Sequence, residues 1–271
     1  MVNRRTCTVV LVGLAAATGC WTYNYQSPAG PRYTGVALLP SPAVPGDGAP
    51  GIRVVTFNVQ YARHVDRAIA LLRSSAALRG ADVITLQEMD APGARRIAAA
   101  LSMSYVYYPA SVAPETGRDF GNAILSRWPI VADAKIVLPH LARFSRSERI
   151  ATAATILVGG APLRVYSVHL ETPVELGPGS RRDQARAVLA DAGAYARVVV
   201  GGDLNSRGMG KQFRAAGFLW PTEHNPRTHL IFNWDHIFFK GFGPADGMTS
   251  GVVRDTVGAS DHRPVWAVAT Y

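Results

Sequence analysis

Val198-Val199-Val200-Gly201-Gly202-Asp203-Leu204-Asn205-Ser206 is the stretch on which the reading of this chain turns. A β-branched apolar run stops at two glycines and then delivers an acid, a hydrophobe and an amide. Strand side chains alternate faces, so Asp203 and Asn205 project to one side if extension persists past the glycines. A buried strand that ends this way is either closed by an Asx-turn or opens onto the rim of a site. The stretch alone leaves both readings open, and the ends of the other strands have to decide.

Working outward, residues 52–58 form a strand ending in Asn58, and residues 82–88 form a second ending in Gln87-Glu88. Strand patterns continue at 105–109, 121–127, 130–138, 150–158 and 163–170, the last reaching His169. Late strands at 234–239 and 264–270 carry Asp235 and follow Ser260-Asp261-His262. Apolar residues at 65, 68, 69, 71, 72 and 76 give residues 64–78 a helical period, and 92–101 and 181–195 also read as helices. Strands separated by helices early and by shorter turns later suggest a two-sheet α/β or α+β sandwich.

The chain has 271 residues, 48% of them hydrophobic, enough for one good-sized core or two small ones. Its formal charge is +9, but Lys135, Lys211 and Lys240 are the only lysines among 28 basic residues. So Arg-heavy a composition reflects genome base content as readily as selection. It is compatible with nucleic acid, anionic lipid or phosphate esters and selects none of them. Cys7 and Cys20 are the only cysteines. The folded part therefore has no internal disulfide, cysteine nucleophile or zinc-thiolate site.

Residues 1–19 read as a signal peptide: Arg4-Arg5, an apolar run too short to span a bilayer, then small residues. Ala17-Thr18-Gly19-Cys20 resembles a lipobox, with Ala where Leu is usual. Ordinary cleavage after Ala17 is the alternative. Residues 20–51, rich in Pro and Gly, read as a lipidated N-terminus and exposed tether, with 33–39 able to dock as an edge strand. The domain proper is expected at 52–271. An exported protein of a bacterial cell envelope follows, lipid-anchored if Cys20 is acylated and otherwise periplasmic or secreted.

Asn58, Glu88, His169, Asp203, Asn205, Asp235, Asp261 and His262 each have a dull explanation singly, as turn formers or solvated ends. Together, at the ends of core strands, they make a set of oxygen ligands with imidazoles. Hard oxygen ligands select Mg²⁺, Mn²⁺ or Ca²⁺, and that chemistry suits phosphate-ester cleavage. The His-Glu-x-x-His zinc site, the Gly-x-Ser-x-Gly elbow and a P-loop are all absent. His236 faces away from Asp235 on a strand. His64, His140, His224 and His229 read as solvated or loop residues, and Asn122 as structural support.

At these residues the chain resembles the endonuclease/exonuclease/phosphatase superfamily, which includes deoxyribonuclease-I-like nucleases, neutral sphingomyelinases and inositol polyphosphate 5-phosphatases. The matching pieces are Thr56-Phe57-Asn58, Leu86-Gln87-Glu88, Gly121-Asn122-Ala123-Ile124-Leu125-Ser126, Ser167-Val168-His169-Leu170, Gly201-Gly202-Asp203-Leu204-Asn205, Trp234-Asp235-His236-Ile237 and Ser260-Asp261-His262-Arg263-Pro264-Val265. The resemblance implies an α+β fold, a four-layer αββα sandwich, with its site at one end of the sheets. It implies Glu88 as principal metal ligand, with Asn58 and Asp261 lining the same region. Asp203 handles the attacking water, and Asn205 holds that water or a phosphoryl oxygen. His262, oriented by Asp235, donates to the phosphate, and His169 is a second imidazole. Arg149 bridges to the substrate phosphate or is an exposed surface residue. Gly201 and Gly202 let the backbone approach a phosphate.

A Mg²⁺-dependent monomer is expected, with Mn²⁺ as substitute and Ca²⁺ as an auxiliary ion. Its substrate is a phosphate ester: nucleic acid first, which the charge favours, or a phospholipid, sphingomyelin or inositol-phosphate group. A catalytically silent binding protein on this scaffold is the third reading. Residues 220–232 read as one rim of the site, mixed between the basic, aromatic character that grips nucleic acid and the apolar character that suits lipid.

Overall fold

Buried β-branched runs need partners on both faces, and two stacked sheets supply them. The structure is a computed structural model that describes residues 22–37 and 51–270. In chain order its elements are β1 (Tyr33–Gly35), β2 (Ile52–Asn58), α1 (Val65–Ser74), β3 (Val83–Met89), α2 (Ala91–Leu101), β4 (Ser104–Ala113), β5 (Arg118–Ser126) and β6 (Ile130–Val137). They continue with β7 (Ile150–Val158), β8 (Ala161–His169), α3 (Pro178–Ala192), β9 (Val198–Asp203), α4 (Gly210–Ala215), β10 (Asp235–Lys240), β11 (Thr249–Val252) and β12 (Val265–Ala269). One sheet has seven strands in the order β1-β4-β5-β3-β2-β12-β11; the other has five, β10-β9-β8-β7-β6.

Each sheet contains one parallel pair, β2 with β3 and β8 with β9, and all other neighbours are antiparallel. A parallel pair needs a crossover, and α1 and α3 provide them. The consequence sets the site. Parallel strands end together, so Asn58 lies opposite Gln87 and His169 opposite Asp203. Antiparallel β10 begins where β9 ends, pairing Asp235 with Asp203.

Alternation divides the apolar residues into three cores. Val55, Phe57, Ile84 and Leu86 pack under α1 and α2. Val54, Val83, Ile124, Leu163, Val165 and Val199 fill the space between the sheets. Tyr166, Val168, Val200 and Phe238 pack on Ala185, Val188 and Phe213 of α3 and α4. Each such fully buried side chain is worth about 1.5–3 kcal/mol. The layers are therefore helix, sheet, sheet, helix, the expected αββα sandwich.

Toward the strand ends the inter-sheet layer changes character. Gln87 Nε2 donates to Ser167 Oγ at 2.9 Å, and Ser167 Oγ to the Leu86 carbonyl at 3.0 Å. Asn122 Nδ2 donates to the carbonyls of Ile150 (2.8 Å) and Ser167 (3.2 Å), tying the two sheets together as structural support. These buried polar groups are satisfied by one another, so they form a rigid floor. The glycines belong to that floor. A Cβ on Gly201 would sit 2.4 Å from Thr85 Oγ1, and one on Gly202 would sit 1.9 Å from the Val168 carbonyl oxygen. Their small size serves sheet and strand packing, where the sequence suggested approach to a phosphate.

The N-terminal side also departs from expectation. Residues 22–37 lie against the domain, within what reads as a free tether in sequence. Tyr25 N–H donates to the Ala110 carbonyl and Val112 N–H to that of Tyr23, both at 2.8 Å. Arg32 pairs with Asp133 at 2.6 Å. β1 pairs with β4 as an edge strand. β1 falls inside 33–39, the stretch expected to dock as an edge strand; the unexpected part is the docking ahead of it, whose main-chain bonds have no periodic signature. The signal-peptide and Cys20 readings lie outside the described residues. Among helices, α1 stops at Ser74 because Ser75 is extended, and α4 and β11 are too short to have shown a pattern.

Candidate active site

β9 ends at Asp203, and Asn205 is left-handed with φ 49°, so extension does not persist and the two do not alternate along a strand. Asp203 Oδ1 instead accepts the Asn205 N–H at 2.7 Å, which is the Asx-turn geometry. The Asx-turn reading holds for one carboxylate oxygen, while Oδ2 faces Asn58, His169 and His262. Asn205 Nδ2 donates to the Leu170 carbonyl at 2.9 Å, fastening the end of β8 to that of β9.

Asp203 Oδ2 is the focus of the site. Asn58 Nδ2 donates to it at 3.2 Å. His169 Nε2 lies 3.6 Å away and His262 Nε2 3.7 Å. His262 Nδ1–H donates to Asp235 Oδ2 at 2.9 Å, and Asp235 is fully buried. The other oxygen, Asp235 Oδ1, is buried without a hydrogen-bond partner among the described residues. Ser260 Oγ donates to the Asn58 carbonyl at 2.7 Å and accepts the His262 N–H at 3.1 Å, so the last loop is locked onto β2.

Glu88 arrives by a distortion. The register of β3 on β5 shifts between Leu86 and Met89, and Glu88 has φ 56°. Gln60, Tyr61 and Ala62 follow with φ 44°, 56° and 51°. Left-handed non-glycine residues cost roughly 1–3 kcal/mol each and gather at functional sites. Here they aim Tyr61 N–H at Glu88 Oε2 (3.1 Å), while Asn58 Nδ2 donates to Glu88 Oε1 (3.0 Å).

The two imidazoles carry different charge. Burial opposes the charged form of His262, but the adjacent Asp235 and Asp203 carboxylates outweigh it and push its pKa up to about 10. His169 is held well below 6.5 by burial, then by the Arg149 and His262 charges. Arg149 Nη1 lies 3.0 Å from His169 Nδ1. The same Nη1 lies 3.3 Å from Nε2, so either nitrogen of the neutral ring can accept from the guanidinium, which only donates. Burial, then the Asp235 charge, raises the Asp203 carboxyl above its ordinary range.

Arg149 is not an exposed surface residue, and it lines a cavity with Tyr61, Phe120 and Glu171. Glu171 holds it in a two-pronged pair, Nε to Oε2 and Nη2 to Oε1, both at 3.0 Å, and its guanidinium lies 5.1 Å over Phe120. Glu171 escaped the sequence reading, although the spacing His169-x-Glu171 was a signal. His229 was also missed: it stacks on His262 at 4.3 Å between ring centres. His236 is on the opposite face as expected. It accepts from Trp220 Nε1 at 3.2 Å, and burial drives its pKa down to about 4.

The donor set suits a hard divalent cation. Burial raises the Glu88 carboxyl, opposed by the Asn58 hydrogen bond and reinforced by Asp261. Asp203, Asp235 and Glu88 act on His262, which is paired with Asp235 through Nδ1 and turns Nε2 toward Asp203 Oδ2, while Glu171 holds Arg149. Glu88 and the exposed Asp261 offer carboxylate oxygens. Asn58 turns its amide nitrogen to Glu88 and Asp203, and its Oδ1 accepts Gln60 N–H at 3.0 Å. Two groups of residues place one ligand atom each within 4.8 Å of one another: Asp203, Asp235 and His262, and His229, Asp261 and His262.

Comparison with known proteins adds the following. Residues 55–262 match the pattern of the Endonuclease/Exonuclease/phosphatase family. No curated protein matches the chain. Among solved structures, sphingomyelinase C from Streptomyces griseocarneus aligns with TM-score 0.62 at 19% identity, covering 82% of this chain and 100% of that one. D. rerio TDP2, complexed with single strand DNA product, aligns with TM-score 0.62 at 18% identity, over 81% and 99%. The Bacteroides thetaiotaomicron mannosyl-6-phosphatase aligns with TM-score 0.59 at 16% identity, over 81% and 100%. At these identities the likeness shows the fold.

Proposed function

The chain belongs to the endonuclease/exonuclease/phosphatase family, and from that premise we propose that it is a divalent-metal-dependent phosphoric ester hydrolase. The observation that supports this best is Asp203 Oδ2, faced by Asn58, His169 and a His262 that Asp235 keeps charged. Asp203 positions the attacking water and takes its proton. His262 presents Nε2–H to a phosphoryl oxygen, where a positive charge stabilises the developing negative charge most. His169, held neutral, adds no charge that would repel an incoming cation. Glu88 and Asp261 would hold Mg²⁺ or Mn²⁺, which when bound neutralises phosphoryl oxygens and the leaving oxygen. Water attacks in line, with no covalent enzyme intermediate.

Net charge supports a nucleic-acid phosphodiester. A specific observation favours the second reading, a phospholipid or related headgroup: Leu230, Ile231 and Phe232 are exposed on the rim segment that carries His229. A silent scaffold is the weakest reading, because the carboxylates and imidazoles are not only present but assembled. Export and an acylated Cys20 stay part of the proposal, supported by the basic, apolar and small-residue order of residues 1–20. Among the described residues no helix is long and apolar enough to cross a membrane.

The test is a substrate panel with the purified chain: plasmid DNA, RNA, sphingomyelin, inositol polyphosphates and a soluble aryl phosphodiester, each with Mg²⁺ and with EDTA. Hydrolysis that EDTA abolishes and Mg²⁺ restores is expected. Turnover untouched by exhaustive chelation sinks the mechanism.

A further inference from the structure

We propose that the turn at residues 229–232 is a membrane-docking tip, which inserts Leu230 and Ile231 into the interface of a bilayer carrying anionic phospholipid. The turn is closed by Phe232 N–H donating to the His229 carbonyl (2.7 Å) and Thr228 N–H to that of Phe232 (2.8 Å). Leu230 sits in the left-handed region, φ 45°. Such positions favour Gly, Asn or Asp. This turn instead carries two branched aliphatics, 69% and 75% exposed. With Phe232 they are the one run of three consecutive exposed large hydrophobic residues among the described residues.

The tip is stiff and joined to the catalytic centre. Phe232 stacks on Trp234 (4.8 Å, 7°), Trp234 on His229 (5.0 Å, 14°) and His229 on His262 (4.3 Å, 28°). Arg263 N–H donates to the Thr228 carbonyl, pinning the base of the turn. Leu230 and Ile231 line one concavity together with Arg227, Arg254, Arg263 and Asp261. Aliphatic side chains ringed by arginines match a bilayer interface with anionic headgroups. They do not match single-stranded nucleic acid, because Leu and Ile offer no π-face for a base.

A tip seated in the bilayer would bring the imidazole pair His229 and His262 to the lipid phosphate esters. That consequence rests on the hydrolase reading; the docking does not.

The experiment uses the full chain with Cys20→Ser, so that no acyl group masks the tip, and vesicles of phosphatidylcholine with or without phosphatidylglycerol. A second variant adds Leu230→Asn and Ile231→Ser, with Asn suited to the left-handed position. Co-sedimentation with the anionic vesicles is expected, weakened about tenfold or more by the added pair. Melting temperature and Mg²⁺-dependent hydrolysis of a soluble aryl phosphodiester should stay unchanged. Equal vesicle binding by both variants overturns the proposal, as does loss of oligonucleotide binding in place of vesicle binding. If neither variant hydrolyses the soluble ester, the hydrolase reading fails while vesicle binding still decides the docking.

Discussion

His262 and His169 are both buried and lie 3.7 and 3.6 Å from the same Asp203 oxygen, yet the walls that hold them treat them oppositely. The His262 wall supplies Asp235 at 2.9 Å and raises the ring to about 10. The His169 wall supplies Arg149, whose own charge Glu171 steadies, and keeps the ring neutral. Residue type does not set the role here; the next residue out does. On the proposed function, one wall would present a cation to the phosphate, and the other a neutral ring that adds no charge beside a metal ion.

The comparison breaks most sharply at Asp235. Asp235→Asn makes the His262 wall resemble the other, and kcat should fall roughly 10³-fold with little change in melting temperature. The pH profile carries the sign. Activity that needs charged His262 is lost in the wild type as pH rises through about 10, and that limb should move down toward 6.5 in the variant. An unmoved alkaline limb removes Asp235 from the account.

The second wall is sharpened by Glu171→Gln, which leaves Arg149 buried beside a neutral ring. Breaking such a pair costs about 3 kcal/mol or somewhat more, read as a lower denaturation midpoint. Arg149 lowers the Glu171 carboxyl despite burial, so the pair's contribution is present above the ordinary 4.5 and lost as pH falls through the lowered value. A midpoint unchanged at neutral pH contradicts this. The smallest effect is expected at His169→Asn, which keeps a donor: roughly 10- to 100-fold in kcat. A loss as large as that of Asp235→Asn would make the two walls equivalent.

Much of this was legible beforehand because parallel strands end together. Asn58, Glu88, His169 and Asp203 are strand ends in sequence, and the two parallel pairs bring them to one edge. What stayed hidden was set by backbone or by distant packing. Asn205 at φ 49° and the bulge that turns Glu88 have no periodic signature. Gly201 is required by Thr85 of the facing sheet, and the segment ahead of β1 docks through main-chain bonds that any sequence can make. His229 reads as a loop residue until the turn stacks it on His262. Glu171 was within reach, two positions from His169 on the same alternation.

The central claim is that at neutral pH one imidazole beside this carboxylate is charged and the other neutral. Imidazole NMR of the chain, with ring nitrogens followed from pH 5 to 11, reads it directly. The account predicts that His262 titrates near 10 and that His169 stays neutral throughout. Both rings titrating together near 6.5 would contradict it.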